Sequence, residues 1–269
     1  MRLFYYIGIE GNACTAEIVV NGLGVSKLKA ENGGSIQYPC NTELIGKGNK
    51  IEVTVSLASF DLTILDRVLC NGTIKKYGTE EFIGPESGSV IAQFTLSNKI
   101  KELKNRLKSD PLSVDLSKEF PVTLTAEFDS DDAPSFSERL IESTPIDDSE
   151  ILKDWAIQFK EHLINRDIQA LYNLYEPKLL DYDIAFPEQK EPDNQKWFTD
   201  WMNNKIFPQT PFTEFNRDDV VPVKWCDGRI WELKLKDGRP LWTTVGKDNK
   251  RSFIEIFAGN VDGEIKIVR

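Results

Sequence analysis

From Phe215 to Arg269 apolar and polar residues alternate in short runs: Val220–Lys224, Arg229–Lys236, Pro240–Gly246, Arg251–Ala258 and Glu264–Arg269. A period of two sends every second side chain to the same face, so the pattern predicts an antiparallel sheet. Asp237-Gly238 and Asp262-Gly263 separate such runs, and Asp-Gly is a strong hairpin signal. A two-residue turn at Asp237-Gly238 sets Leu235 opposite Pro240 and Leu233 opposite Trp242, so Trp231, Leu233 and Trp242 share a face. Upstream the period changes to that of a helix. Leu152, Trp155, Ala156, Phe159 and Leu163 form one stripe, begun by Asp147-Asp148-Ser149-Glu150. Asp167 caps a second, with Ile168, Leu171, Tyr172, Tyr175 and Leu179, and a third holds Trp197, Phe198, Trp201 and Met202 before Pro208.

The first half shows short β runs instead. A first strand begins at Leu3, Thr15–Val20 ends at Asn21-Gly22, and Lys50–Leu57, Leu62–Leu69, Val90–Leu96 and Val122–Phe128 follow. About seven strands at this spacing predict a two-sheet sandwich. Ile100, Leu103 and Leu107 mark one helix over Lys99–Lys108. From Asp129 to Ser149 the composition shifts to Asp, Ser, Pro and Glu, which predicts a domain boundary. The expected organisation is a β-sandwich domain over 1–129, an acidic linker over 130–148 and an α+β domain over 149–269.

The net charge of −10 is spread evenly: 15 Lys/Arg face 20 Asp/Glu before Ile146, and 18 face 23 from there on. No basic stripe is present for phosphate, which argues against a nucleic-acid partner. No apolar run approaches bilayer length, so no membrane role is expected. Met1-Arg2-Leu3-Phe4 lacks a cleavage site and reads as a first strand. Cys14, Cys40, Cys70 and Cys226 show no metal spacing, and reduced thiols in a cytoplasmic protein account for them. Asn71-Gly72-Thr73 reads as a turn, Gly46-Lys47-Gly48-Asn49-Lys50 has the wrong spacing for a P-loop, and Asp129, Asp131 and Asp132 lack the Gly and Glu of a calcium loop. No cofactor and no metal are expected.

Trp155, then Asn165-Arg166-Asp167-Ile168-Gln169-Ala170-Leu171, then Leu174-Tyr175, resembles the opening of NTF2-like (SnoaL-like) domains. Asp237-Gly238-Arg239-Pro240-Leu241-Trp242 and Asp262-Gly263-Glu264-Ile265-Lys266-Ile267 resemble their strand–turn–strand ending. The resemblance covers about Ser149–Arg269. It implies a cone, three helices and then a curved antiparallel sheet around a pocket, in a superfamily holding both enzymes and non-catalytic binding modules. The N-terminal half, with Asn21-Gly22, Pro39 and Gly46-Lys47-Gly48-Asn49, resembles bacterial β-sandwich modules more loosely.

Enzymes of that superfamily place a His and an Asp in the pocket, and this chain has a single histidine, His162. The catalytic candidates are therefore His162 as base, with Asp181 and Asp183. All six tryptophans follow Ile146. Tyr172, Tyr175, Trp197, Trp201, Trp231 and Trp242 are the candidate pocket wall, with Arg229 and Arg251 as its polar groups. Two function classes follow. The first is a non-catalytic binding or interaction protein, such as an immunity or accessory factor, that meets a basic partner protein or a small apolar ligand in the cone or an interdomain cleft. The second is a small-molecule isomerase, cyclase or dehydratase working by acid–base chemistry. A homodimer through the C-terminal sheet is a third role for the same domain.

Overall fold

The computed structural model describes residues 3–78, 80–84, 86–110, 112–130, 136–208, 214–245 and 251–269. The chain divides into two compact units, 1–134 and 135–269, and is of mixed α+β type with several antiparallel sheets.

Unit one contains β1 (Leu3–Asn12), β2 (Cys14–Val20), β3 (Leu23–Ala30), β4 (Gly34–Pro39), β5 (Asn49–Leu57), β6 (Leu69–Gly78) and β7 (Ser89–Thr95). Helices α1 (Ser97–Ser109) and α2 (Leu116–Glu119) and strand β8 (Val122–Phe128) complete it. The strands form two antiparallel sheets, ordered β4-β1-β6-β7 and β3-β2-β5-β8. Period-two patterning explains why both close on one core. Tyr5, Ile7 and Ile9 from β1 pack with Ala16, Ile18 and Val20 from β2 and with Ile51, Val53 and Val55 from β5, all at 2% exposure or less. Asn21 and Gly22 both take positive φ at the β2–β3 turn. The Asn21 side chain also donates to Glu43 O and accepts from the Lys50 N–H, tying two loops together. Leu62–Leu69 is not a strand. Asp61 accepts from the Thr63 N–H and starts a 3₁₀ turn over Leu62–Asp66, so pairing begins only at Leu69.

Unit two begins with α3 (Phe136–Ile141), inside the stretch expected to be linker. Then come α4 (Glu150–Asn165), α5 (Ile168–Ala185) and α6 (Asn194–Trp201). Arg166 takes the left-handed conformation that ends α4, and Asp167 accepts from the Ala170 N–H to start α5. A π turn over Met202–Ile206 extends α6. The strands are β9 (Val220–Trp225), β10 (Ile230–Leu235), β11 (Trp242–Val245), β12 (Arg251–Ile254), β13 (Ile256–Val261) and β14 (Glu264–Ile267).

Their pairing differs from the expected meander. One sheet runs β14-β13-β10-β9, and β11 with β12 forms a separate pair. The cause is local. Leu235 donates to Arg239 O, so three residues span the Asp237-Gly238 turn instead of two and the register moves by one. A lone bridge from Lys234 to Pro240 follows, and the chain then leaves β10. Arg251–Ala258 breaks at Glu255, which frees β13 to take the place beside β10. Asp262-Gly263 does close a two-residue hairpin, with Val261 opposite Glu264.

Candidate functional site

The aromatic residues singled out in the C-terminal half converge through three helices and one strand. Trp242 on β11 is 2% exposed, and its ring lies 5.7 Å from Phe159, 6.5 Å from Tyr175 and 6.3 Å from Trp201. Phe198 sits 5.3 Å from Tyr175, 5.7 Å from Trp201 and 5.8 Å from Tyr172. Contacts of this kind contribute about 0.5–1.5 kcal/mol each beyond area burial. Where α6 reaches the surface, Trp197 stacks on Trp201 at 5.9 Å and 6°, and Trp197 is 38% exposed. Trp231 lies elsewhere in this core and donates to Gly228 O. The Tyr175 hydroxyl, on a ring 3% exposed, has no hydrogen-bond partner among the described residues, and burial pushes its pKa up.

The acid–base candidates are dispersed. Asp181 is buried and accepts from Arg139 Nε at 2.6 Å. Asp183 accepts from the Asn194 amide at 2.7 Å. Two positions apart on a helix, the two carboxylates point to different neighbours. His162 lies in the last turn of α4 with Nδ1 3.5 Å from Asp167, and both Arg166 and Asp167 donate backbone N–H groups to its carbonyl. Arg229 donates to Cys226 O. Arg251 stands opposite Val245 in the β11–β12 pair, and its side chain lies outside the described part of the structure. Sequence spacing therefore finds the ring cluster but overstates the convergence of the polar groups.

A second feature escapes the sequence altogether. On the outward side of the β4-β1-β6-β7 sheet, a hollow of about 530 Å³ opens over three strands. The ladder registers set its lining in three rows: Ser35, Glu10 and Asn71; then Gln37, Gly8 and Thr73; then Tyr6 and Lys75. Gly8 lies at the centre, and its missing side chain makes the depression. Tyr77 walls one side, edge-on to Tyr6 at 5.6 Å and fixed by donation to Gly84 O. Ile9 and Ile36 border it as well, although their side chains pack with the sandwich core. No run of neighbouring residues marks this surface, because its residues, from Tyr6 to Tyr77, come from three strands far apart in the chain.

Among the described residues no helix is long and apolar enough to cross a membrane. No family model, curated protein or solved structure matches the chain.

Proposed function

We propose that the chain is a non-catalytic binding or protein-interaction module, acting in the cytoplasm, whose C-terminal unit is an NTF2-like α+β domain. One observation carries this. The three acid–base candidates, His162, Asp181 and Asp183, are each engaged in a separate structural contact, while a stacked Trp197–Trp201 pair breaks the surface at the edge of the aromatic cluster. General acid–base catalysis needs its groups within reach of one substrate atom, and Asp181 and Asp183 look toward different partners. Exposed stacked tryptophans are instead the anchors that interfaces favour. The order helix α4, Asp167 cap, helix α5, helix α6, then antiparallel strands supports the NTF2-like assignment.

Because the rings contact one another, the favoured occupant is a partner protein docked over Trp197 and Trp201. The charge of −10 favours a basic one. The test is a capture experiment from the native organism with the full chain and with Trp197→Ser, read by quantitative mass spectrometry at low and high salt. A basic protein held by the wild type, depleted at least fivefold by the substitution and weakened by salt, is the expected result. Identical capture by both chains would sink the proposal.

A further inference from the structure

The hollow on the N-terminal sheet is built in a way that packing does not require. Gly8 sits in the middle of β1, between two paired strands, where glycine weakens a strand by roughly 0.5–1 kcal/mol. Nothing local demands it. Its φ is not in the left-handed region. A Cβ placed on it would meet Thr73 Oγ1 at 3.5 Å, an ordinary contact. Gly72 on the neighbouring strand is different, since a Cβ there would fall 1.9 Å from Phe94 Cζ. Gly72 is a packing glycine. Gly8 keeps a space open, and a strand glycine of that kind marks close approach by another molecule.

The chemistry around that space is mixed and balanced. Among the described residues, the side chains of Glu10, Ser35, Gln37 and Thr73 make no hydrogen bond or ion pair with the protein. Asn71 accepts from Thr95 through Oδ1, and its amide N–H groups donate to no protein acceptor among the described residues. Lys75 reaches Ser87 O at 3.0 Å and sits two rows from Glu10, so the hollow carries one charge of each sign. Amides and hydroxyls, able to donate and accept, surround the Gly8 gap, and the Tyr6 ring borders it.

We infer that this hollow is a binding site for a neutral polyhydroxylated ligand, a mono- or disaccharide unit, laid over Gly8 with hydroxyls on Glu10, Gln37, Asn71 and Thr73 and an apolar face on Tyr6. A volume of 530 Å³ lies within the range of about 300–1,000 Å³ typical of small-molecule sites. A compact anion would find Glu10 opposing it, and an apolar ligand would leave the amides unpaired. The inference rests on the proposal that the chain is a binding protein, but it uses a different unit and different residues from the Trp197–Trp201 surface.

Saturation-transfer NMR on the full chain tests it, with glucose, galactose, N-acetylglucosamine, maltose and cellobiose, each at about 10 mM to reach millimolar affinities. Sodium octanoate and trilysine serve as the apolar and peptide arms. At least one saccharide should show transfer that is abolished by Gly8→Val and reduced at least threefold by Gln37→Ala. Gln37 is exposed on edge strand β4, so its truncation decides the matter should Gly8→Val fail to fold. Transfer to no saccharide, transfer only to octanoate or trilysine, or saccharide transfer unchanged in Gln37→Ala would overturn the assignment. A chain that ignores saccharides yet captures a basic partner through Trp197 would lose this inference alone.

Discussion

Arg139 and Asp181 form an ion pair that fastens helix α3 to helix α5. Arg139 Nε lies 2.6 Å from Asp181 Oδ2, and the carboxylate side chain is only 4% exposed. A buried charge of this kind is tolerated because its partner is in place, and removing one member leaves the other desolvated alone.

Arg139→Met should therefore destabilise the C-terminal unit by roughly 3 kcal/mol, while Arg139→Met with Asp181→Leu should recover most of the loss. Urea unfolding of the single and double variants measures this. Additive losses would show that the pair is not coupled.

Lys178, half-buried on α5 with its ammonium 5.8 Å from the Tyr175 ring, has its pKa pushed down to about 8 by burial, against the pull of Glu255. The unfolded chain keeps the ordinary value of 10.5, so between these values it holds the extra proton. Stability should rise as pH is raised from about 8 towards 10.5, by on the order of 1–2 kcal/mol after allowance for solvent around the partly exposed chain. Thermal melts across that interval should show the slope, and Lys178→Met should flatten it.

Glu119 behaves in the opposite sense. Lys99 Nζ at 2.6 Å and Arg106 Nη1 at 2.7 Å hold its carboxyl below the usual carboxylate range, and its side chain is 18% exposed. Its contribution is complete above the ordinary glutamate value and disappears as pH falls through the lowered one. Glu119→Gln should thus remove part of the acid sensitivity between about pH 6 and pH 3, seen as a smaller shift in urea midpoint.

Gly72 and Gly8 should respond differently to the same substitution. Gly72→Ala drives a methyl into Phe94, itself 7% exposed, and should cost about 2–3 kcal/mol. Gly8→Ala should be neutral or stabilise by up to about 1 kcal/mol, since the unfolded chain has less backbone entropy to lose and no neighbour is crowded. Equal losses at the two sites would contradict the distinction between a packing glycine and one that maintains a hollow.

What the chain discloses by pattern and what it hides follow from range. The stripe from Leu152 to Leu163 and the alternation from Ile51 to Val55 are local, and both emerge as the buried faces of α4 and β5. The Asp167 cap is local as well. Pairing partners are not. One additional residue in the Asp237-Gly238 turn was enough to send Trp242 to β12 in place of β10, and no periodicity encodes that choice. Trp242 still reached the core, 2% exposed and packed against Phe159, Tyr175 and Trp201. Asp181 and Asp183 carried no sign of their separate partners, Arg139 and Asn194, which lie 42 and 11 positions away. The Gly8 hollow was invisible because its lining is shared among three strands far apart in the chain, each supplying three to five residues.

Ile146 is threaded into the second unit: its N–H donates to Gly228 O at 2.8 Å, and its side chain is 5% exposed within that core. A recombinant piece started at the helix that opens with Glu150 would thus lack an internal plug as well as the guanidinium that neutralises Asp181. The shortest self-sufficient fragment has to begin upstream of α3, which makes the acidic stretch before that helix, and not the one after it, the place to cut.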